Sequence, residues 1–536
     1  MLTGLALLTT ASCSDPDDEI TTTDFDRLLR PSELELKIFD KTNIKATMDF
    51  VNVPDYLDIL IEVNENPLSE NKVFKEFRRE TLQPRDFLGS MKDATLSSAT
   101  THATFIDSIR NLSYFKDYRV SFTARDADGK VSKQSTEVAT TDGIFKESTD
   151  DDRTNTSLTV RWPSEVAVTL LRTMRMNGDT EELVAEDIIE DATKGKFIKT
   201  GLDPNTEYIF YIYNGEDCQG RTTNTTFPNY IEYTAQDGFD FQTAIESLAD
   251  GYAIMLSPAG DGTKEFNLTS STINISKNVR IMARNTQPVI VNKAAFNLNG
   301  ATGLSLENIS FADVEKKLAL LKFTNATGDY KVSNVEVIGY KNFAQDPGSN
   351  ACDVNELLVE KCFMHDGIGG RWMDFQKKMC YIKTITITQN TFANIANAQD
   401  FMRYDYYADH MPNIVLENNS FYKVNASSKG IMYIRSNTAG DKAFKCDINK
   451  NIFENCKDTY FSEDKKTDAL TFSKNYYKNA EGLITPFAAE NEAYDHSPNT
   501  FTGTSAFKNP DKNDFTISNT TLINAGVGNT EFIVKE

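Results

Sequence analysis

The run Ile387-Thr388-Gln389-Asn390-Thr391-Phe392 recurs as Leu416-Glu417-Asn418-Asn419-Ser420-Phe421, then as Ile448-Asn449-Lys450-Asn451-Ile452-Phe453. Phe472-Ser473-Lys474-Asn475-Tyr476-Tyr477 closes the series, and Leu306-Glu307-Asn308-Ile309-Ser310-Phe311 is an earlier, looser copy. The Asn residues at 390, 419, 451 and 475 are separated by 29, 32 and 24 residues. A period in this range with unequal intervals is the signature of a solenoid. Each coil of such a fold lays its strands about 4.8 Å above the last, in parallel sheets that bury apolar side chains inward. Asn at a fixed turn tolerates a left-handed backbone, and its amide can pair with the Asn one coil away. Unequal intervals imply loops at some turns, and loops gathered on one face of a solenoid usually form its binding surface.

Upstream of the repeat, Asp240 to Asp250 reads as a helix with Phe241, Ala244, Ile245 and Leu248 on one face. Asp250-Gly251-Tyr252-Ala253-Ile254-Met255-Leu256 follows, and Thr272-Ile273-Asn274-Ile275 and Asn278-Val279-Arg280-Ile281 continue the style. A capping helix followed by a D-G-x-x-I-x-L strand resembles the entry to pectate-lyase-like right-handed parallel β-helices. The stretch from Phe507-Lys508-Asn509-Pro510 to Asn524-Ala525-Gly526 resembles the closing segment of polysaccharide-lyase β-helices. The resemblance runs from about Asp237 to Val534 and implies a fold, not an activity.

The N-terminal part alternates with period two. Leu34, Leu36 and Ile38, then Ile44, Ala46, Met48 and Phe50, then Leu57, Ile59, Ile61 and Val63 interleave with polar residues. Short alternating strands between turns predict an antiparallel sandwich. Asp126-Ala127-Asp128-Gly129 supplies a hairpin turn. A second segment, Asp151 to Tyr233, carries Leu158-Thr159-Val160-Arg161-Trp162 as an early strand with Trp162 as a core candidate. Its Leu202-Asp203-Pro204-Asn205-Thr206-Glu207-Tyr208 matches the L-x-P-x-T-x-Y signature of fibronectin type III domains, in which the Tyr hydroxyl bonds back to the chain. The first segment keeps Leu112 and Tyr118 but has Tyr114 and Lys116 at the Pro and Thr positions. The expected fold is therefore all-β: two fibronectin-III-like sandwiches (31–145 and 146–235) and a right-handed parallel β-helix (236–536). Residues 1–30 stand apart as a lipoprotein signal and tether.

Leu2 to Ala11 form a short apolar run ending in Thr10-Ala11-Ser12-Cys13, too short to cross a bilayer and shaped like a signal-peptide core. The Cys after small residues resembles a bacterial lipobox, which implies lipidation of Cys13, although no basic residue follows Met1. Ser14-Asp15-Pro16-Asp17-Asp18-Glu19 resembles the acidic export signal of Bacteroidota lipoproteins that reach the outer face of the outer membrane. The whole arrangement looks like the lipoproteins of Bacteroidota polysaccharide-utilisation loci. That resemblance implies an outer-membrane, cell-surface location, a glycan partner and work beside a glycan transporter complex.

Across 536 residues the chain has 78 acidic against 56 basic side chains, a net charge of −22. Such a surface repels phosphates and sets nucleic acid aside as a partner. Seven Cys in this length make no disulfide scaffold, and no Cys/His spacing suggests zinc. Cys352, Cys362, Cys380, Cys446 and Cys456 read as small apolar packing residues in or near solenoid strands. Past the N-terminus no apolar run is long enough for a membrane-spanning helix.

The acidic total hides one exception: residues 361–450 carry net +4, which leaves −26 for the rest. Arg371, Arg403 and Arg435 follow one another at 32-residue steps, close to the repeat, so Arg403 and Arg435 are expected at equivalent positions on adjacent coils. Trp372, Tyr404 and Tyr406 lie among them. Guanidinium groups grip carboxylates bidentately and aromatic faces stack on sugar rings. Arg371, Trp372, Arg403, Tyr404, Tyr406 and Arg435 are therefore the candidate residues for an acidic, pectin-like polysaccharide. Three classes stay open. A non-catalytic glycan-binding protein needs only the fold, the tether and this strip. A polyuronate lyase working by β-elimination needs a base and a group that neutralises the carboxylate; Arg403 is the candidate base and Asp374, Asp405 and Asp409 the candidate Ca²⁺ ligands. A glycoside hydrolase needs two converging carboxylates. The competing account of the arginines is that they pair with Asp374 and Asp405 on the solenoid surface. His365 beside Asp366 is a weak base candidate, whereas His102 and His496 read as solvent-facing.

Overall fold

The structure is a computed structural model that describes residues 28, 30–50, 54–83, 91–95, 102–348, 350–367, 370–377, 379–396, 399–405, 412–424, 430–435, 445–456, 469–484, 495 and 498–532. Cys13, Tyr406, Asp409 and His496 lie outside the described residues, as does the side chain of Arg435. The chain divides into two compact units, one made largely of the residues before 227 and the other of those after it.

The first unit holds the two sandwiches. In the first, Ser32–Asp40, Asn43–Phe50, His102–Ile109 and Met91–Thr95 form one antiparallel sheet in that order. Lys75–Leu82, Tyr56–Asn64, Asp117–Arg125 and Ser135–Thr140 form the other. Period-two burial puts Ile44, Ala46, Met48, Phe50, Leu57, Ile59 and Ile61 into the shared core. Tyr118 fulfils the fibronectin-like expectation, since its hydroxyl accepts from the Ser113 N–H at 2.8 Å. The second sandwich pairs Lys196–Thr200 with Ser157–Arg161, facing a sheet in the order Thr180–Ile188, Leu170–Asn177, Glu207–Asn214, Asp217–Thr225. Trp162 is wholly buried there, and its Nε1–H donates to Ala192 O at 3.1 Å. Lys116, at the position where the fibronectin signature has Thr, is buried between the two sandwiches. Its Nζ donates to Glu65 O (2.9 Å), to Cys218 O (3.3 Å) and to the Asp217 carboxylate. A buried ammonium is tolerable only when its protons are used in this way.

The second unit is the parallel β-helix, and it begins earlier than the sequence suggested. Tyr230–Thr234 pairs in parallel with Ala253–Ser257, so it is the first rung of the helix and not the end of the second sandwich. The helix Phe241–Glu246 caps the open end, with Asp240 as N-cap accepting from Thr243 N, and buries Phe241, Ala244 and Ile245. Among the described residues three parallel sheets stack, with 10, 11 and 7 strands. The first runs from Tyr230–Thr234 to Ala469–Ser473, the second from Asp237–Phe239 to Asn499–Thr500, and the third from Thr272–Asn274 to Met432–Arg435.

The second sheet is built mostly from three-residue strands, and one residue of each faces inward. Down the coils these are Phe266, Val291, Phe311, Val337, Met364, Phe392, Phe421, Phe453 and Tyr477. Phe421 stacks on Phe453 with centroids 4.8 Å apart, and Phe453 on Tyr477 at 5.5 Å. One turn before this sheet the repeat Asn residues form a ladder in the core. Asn390 Nδ2 donates to Asn419 Oδ1, Asn419 Nδ2 to Asn451 Oδ1 and Asn451 Nδ2 to Asn475 Oδ1, at 3.0, 3.0 and 3.1 Å. Their backbone N–H groups use the same acceptors, and all four residues are 0% exposed. The left-handed backbone sits one residue earlier than expected, at Gln389, Asn418, Lys450 and Lys474. Asn308 therefore aligns with this turn position and not with the ladder, whose column in the early coils is filled by Ile309 and Val335.

The C-terminal segment does not close the stack as the resemblance implied. After the last strand, Asn499–Thr500, residues 501–532 fold back along the outside of the second sheet. Phe501, Phe507, Phe515, Ile517, Leu522 and Val527 pack there on Phe363, Ala393, Tyr422 and Ile452. Asn529 N–H donates to Ser420 Oγ (3.0 Å) and its Nδ2 to Thr391 Oγ1 (3.1 Å). Gly528, at φ 75°, passes so close that a Cβ there would lie 2.4 Å from Ile452 Cδ1. With this strap in place the outer face of the second sheet is a second core, unavailable to a ligand over these coils.

Candidate functional site

The charged candidates gather on the third sheet. Its outward column runs Asn297, Lys322, Gln345, Asp374, Arg403, Tyr433 from coil to coil. Arg403 is thus level with Tyr433, and Arg435 with Asp405. The 32-residue step between Arg403 and Arg435 does not make them equivalent, because the turn lengths between the ladder and this sheet differ from coil to coil.

Arg403 is committed to the protein. Its Nε and Nη2 donate to the two Asp405 oxygens at 3.1 and 2.9 Å, and its guanidinium lies 5.0 Å from the Tyr433 ring centroid. The hydrogen-bonded carboxylate raises the Arg403 pKa further, against the effect of burial. A base must give up its charge, so this environment works against the sequence expectation of Arg403 as the proton acceptor. Asp405 is 1% exposed with both oxygens held by Arg403, an arrangement that works against the expected Ca²⁺ role. Among the described residues no three His, Cys, Asp or Glu come together to hold a metal ion.

Arg371 and Asp374 are less completely used. Arg371 lies just before the strand Met373–Phe375, with Nη1 3.6 Å from Asp374 Oδ1 and Nε 3.5 Å from Asp400 Oδ2. These ion-pair distances are too long for good hydrogen bonds. Arg371 Nε and Asp374 Oδ1 are buried atoms without a hydrogen-bond partner. Burial pushes the Asp374 carboxyl up, opposed by Arg371 and Arg403. Lys341 and Lys377 are exposed nearby in sequence, and the charge of Lys377 reaches Asp374.

The aromatic candidates turn inward. Trp372 stacks between Phe343 and Phe401, both centroids at 4.9 Å with rings within a few degrees of parallel, and its Nε1–H points at Met364 Sδ. Tyr404 is fully buried, donates to Cys380 O (2.8 Å) and accepts from Ile382 N (2.9 Å). Neither can stack on a sugar ring: Tyr404 alternates with outward Arg403 and so faces inward, and Trp372, at the turn before its strand, is closed in between Phe343 and Phe401. A stacking role among the arginines requires an exposed ring; the column Trp372 shares with Phe343 and Phe401 buries it instead.

His365 has a partner the sequence did not reveal. Its Nε2 meets Glu336 Oε1 at 3.2 Å and its Nδ1 meets Asp366 Oδ2 at 2.8 Å, while the ring stacks on Phe363 at 4.2 Å. Burial disfavours the imidazolium, but the hydrogen bonds its N–H groups donate to Glu336 and Asp366 outweigh it and raise the pKa. Glu336 is 29 residues away, one coil back, so only the register finds it.

The comparisons with known proteins fall on parts of the chain. Residues 414–530 match the family "Domain of unknown function (DUF5123)". That span joins the last ladder coils to the C-terminal strap. A two-domain fibronectin type III segment of chicken tenascin is similar at 21% identity, covering 36% of this chain and 97% of that one, with a TM-score of 0.20. The first three fibronectin domains of chicken CNTN1 are similar at 12% identity, covering 38% of this chain and 65% of that one, with a TM-score of 0.13. No curated protein matches. The fold assignment accordingly rests on strand order, registers and cores.

Proposed function

We propose that this chain is a cell-surface lipoprotein, anchored in the outer membrane through Cys13, whose β-helix binds an acidic, polyuronate-like polysaccharide on its third sheet. The observation that carries the reading is the Arg371 guanidinium, partly exposed and held only by long ion pairs to Asp374 (3.6 Å) and Asp400 (3.5 Å). A sugar hydroxyl donates and accepts at once, and a uronate carboxylate offers the guanidinium a better acceptor than Asp374 and Asp400 do at 3.5–3.6 Å. The local net charge of +4 in residues 361–450 favours an anionic chain. Two sandwiches in front of a β-helix suit a spacer that holds the binding domain away from its anchor. A transporter complex that receives the glycan completes the proposal.

Migration of the full chain through gels containing polygalacturonate, other polyuronates or neutral polysaccharides tests this, together with the ultraviolet absorbance of unsaturated uronate with and without Ca²⁺. Retardation by polyuronate with flat absorbance is expected. Rising absorbance would replace binding with β-elimination, and unretarded migration in every polyuronate gel would overturn the reading.

A further inference from the structure

Cys352 and Cys380 open successive strands of the first sheet, Cys352–Glu360 and Cys380–Thr388, and are direct register partners. Neighbouring parallel strands lie about 4.8 Å apart, inside the Cα window of roughly 4.4–6.8 Å that a disulfide spans. Both side chains face the coil interior, 2% and 1% exposed. The Ala326 N–H donates to Cys352 Sγ at 3.4 Å, and Cys352 Sγ lies 3.9 Å from Asn350 O. No other described cysteine in a paired strand faces a cysteine: Cys218 is level with Tyr213, and Cys446 with Ile414 and Leu470.

The environments of the two thiols differ in a useful way. The neighbouring Cys380 thiol lowers the Cys352 thiol pKa, against burial, and the Ala326 N–H adds to it. Burial pushes the Cys380 thiol well up. Cys352 is therefore the sulfur better able to carry the negative charge that thiol–disulfide exchange requires.

We propose that Cys352 and Cys380 are an oxidisable pair that closes to a disulfide by exchange with a disulfide-bearing oxidant, stapling the coil that carries Arg371 and Asp374. Cys352 loses its proton to solvent and its sulfur attacks one sulfur of the oxidant. The oxidant's S–S bond breaks, and the departing thiolate takes up a proton. Cys380, deprotonated in turn, attacks Cys352 Sγ in the mixed disulfide and expels the second thiol. Two protein thiols are oxidised, one disulfide is reduced to two thiols, and no further reactant is needed. Because the thiols are buried, exchange proceeds through local opening of these strand ends. The staple restrains the loop between the two cysteines in the unfolded chain and so adds stability.

The test is incubation of the full chain with oxidised glutathione, alkylation of remaining thiols in denaturant, and peptide mass spectrometry. The expected product is a peptide pair joined through Cys352 and Cys380, two hydrogens lighter than the separate peptides. It should come with a raised Tm that dithiothreitol reverses. In Cys380→Ser the glutathione should stay on Cys352 as a stable adduct. The proposal is overturned if both cysteines remain alkylatable in the native chain. It is equally overturned if glutathione persists on either without ring closure, or if Cys352 joins a different cysteine. None of these outcomes depends on what the third sheet binds.

Discussion

The Asn ladder and the charged column of the third sheet lie on the same coils, yet they differ in how completely their polar groups are used. In the ladder, Asn390, Asn419 and Asn451 are wholly buried and each amide meets the next, so sequence interval and spatial step coincide. In the charged column the step is two residues shorter than the arginine spacing, and two buried polar atoms are left over. Buried polar groups are normally satisfied, so departures mark places to look for function. The comparison teaches that one part of a coil can be a closed structural device while another, a few residues on, leaves buried polar groups unmatched.

The largest effect that would break this contrast comes from the ladder. Asn419→Ala strands the Asn390 N–H and amide and the Ile387 carbonyl, and is expected to cost roughly 4–5 kcal/mol at about 1–3 per stranded buried group. Denaturant unfolding of the whole chain checks it. Adding Asn390→Val to the same chain should cost less than the two changes summed, because the early coils fill this column with Ile309 and Val335. Additive costs would mean the amides act independently. Next comes Trp372→Ala, expected to lose roughly 3–4 kcal/mol as a core truncation. If its stability stayed unchanged while glycan binding fell, the inward placement of the ring would be wrong.

Arg403→Gln should cost roughly 2 kcal/mol, since it leaves the buried Asp405 without its bidentate partner, although the exposed edge of Arg403 softens the loss. Asp405→Asn in the same chain should recover part of it, as thermal unfolding would show. The smallest effect concerns Asp374. Its folded pKa is raised, so the contribution favourable to folding is fully present below the ordinary carboxylate pKa and is lost as pH rises through the folded value. Asp374→Asn should therefore raise the Tm slightly at neutral pH and leave it unchanged in acid. An equal shift at both ends would refute the burial account of that carboxyl.

Much of the fold was legible because β-helix coils repeat their demands. The Asn at 390, 419, 451 and 475 and the aromatic two residues on announced both ladder and stack, and the period-two runs near Ile44 and Leu57 announced a sandwich. What escaped was register away from the ladder. Arg403 and Arg435 looked equivalent because their interval equals one ladder step, but variable turns shift the third sheet relative to the second. Trp372 and Tyr404 looked like platforms because sequence shows their charged neighbours and not the inward column they belong to. Tyr230–Thr234 was assigned to the sandwich because a parallel partner twenty residues on leaves no local trace. The strap over the second sheet was hidden for a related reason: the stretch from Phe507 to Gly526 resembles a closing segment, and only the structure shows that its partners, Tyr422 and Ile452, are outward residues.

The most direct test of the central claim is retardation by polyuronate gels of the native chain, Arg371→Ala and Lys331→Ala, the last on the outer face of the first sheet. The account predicts that Arg371→Ala loses most of its retardation with a modestly lowered Tm, since Asp374 and Asp400 lose their partner, while Lys331→Ala migrates like the native chain. Equal retardation of all three would contradict the assignment of the ligand to the third sheet.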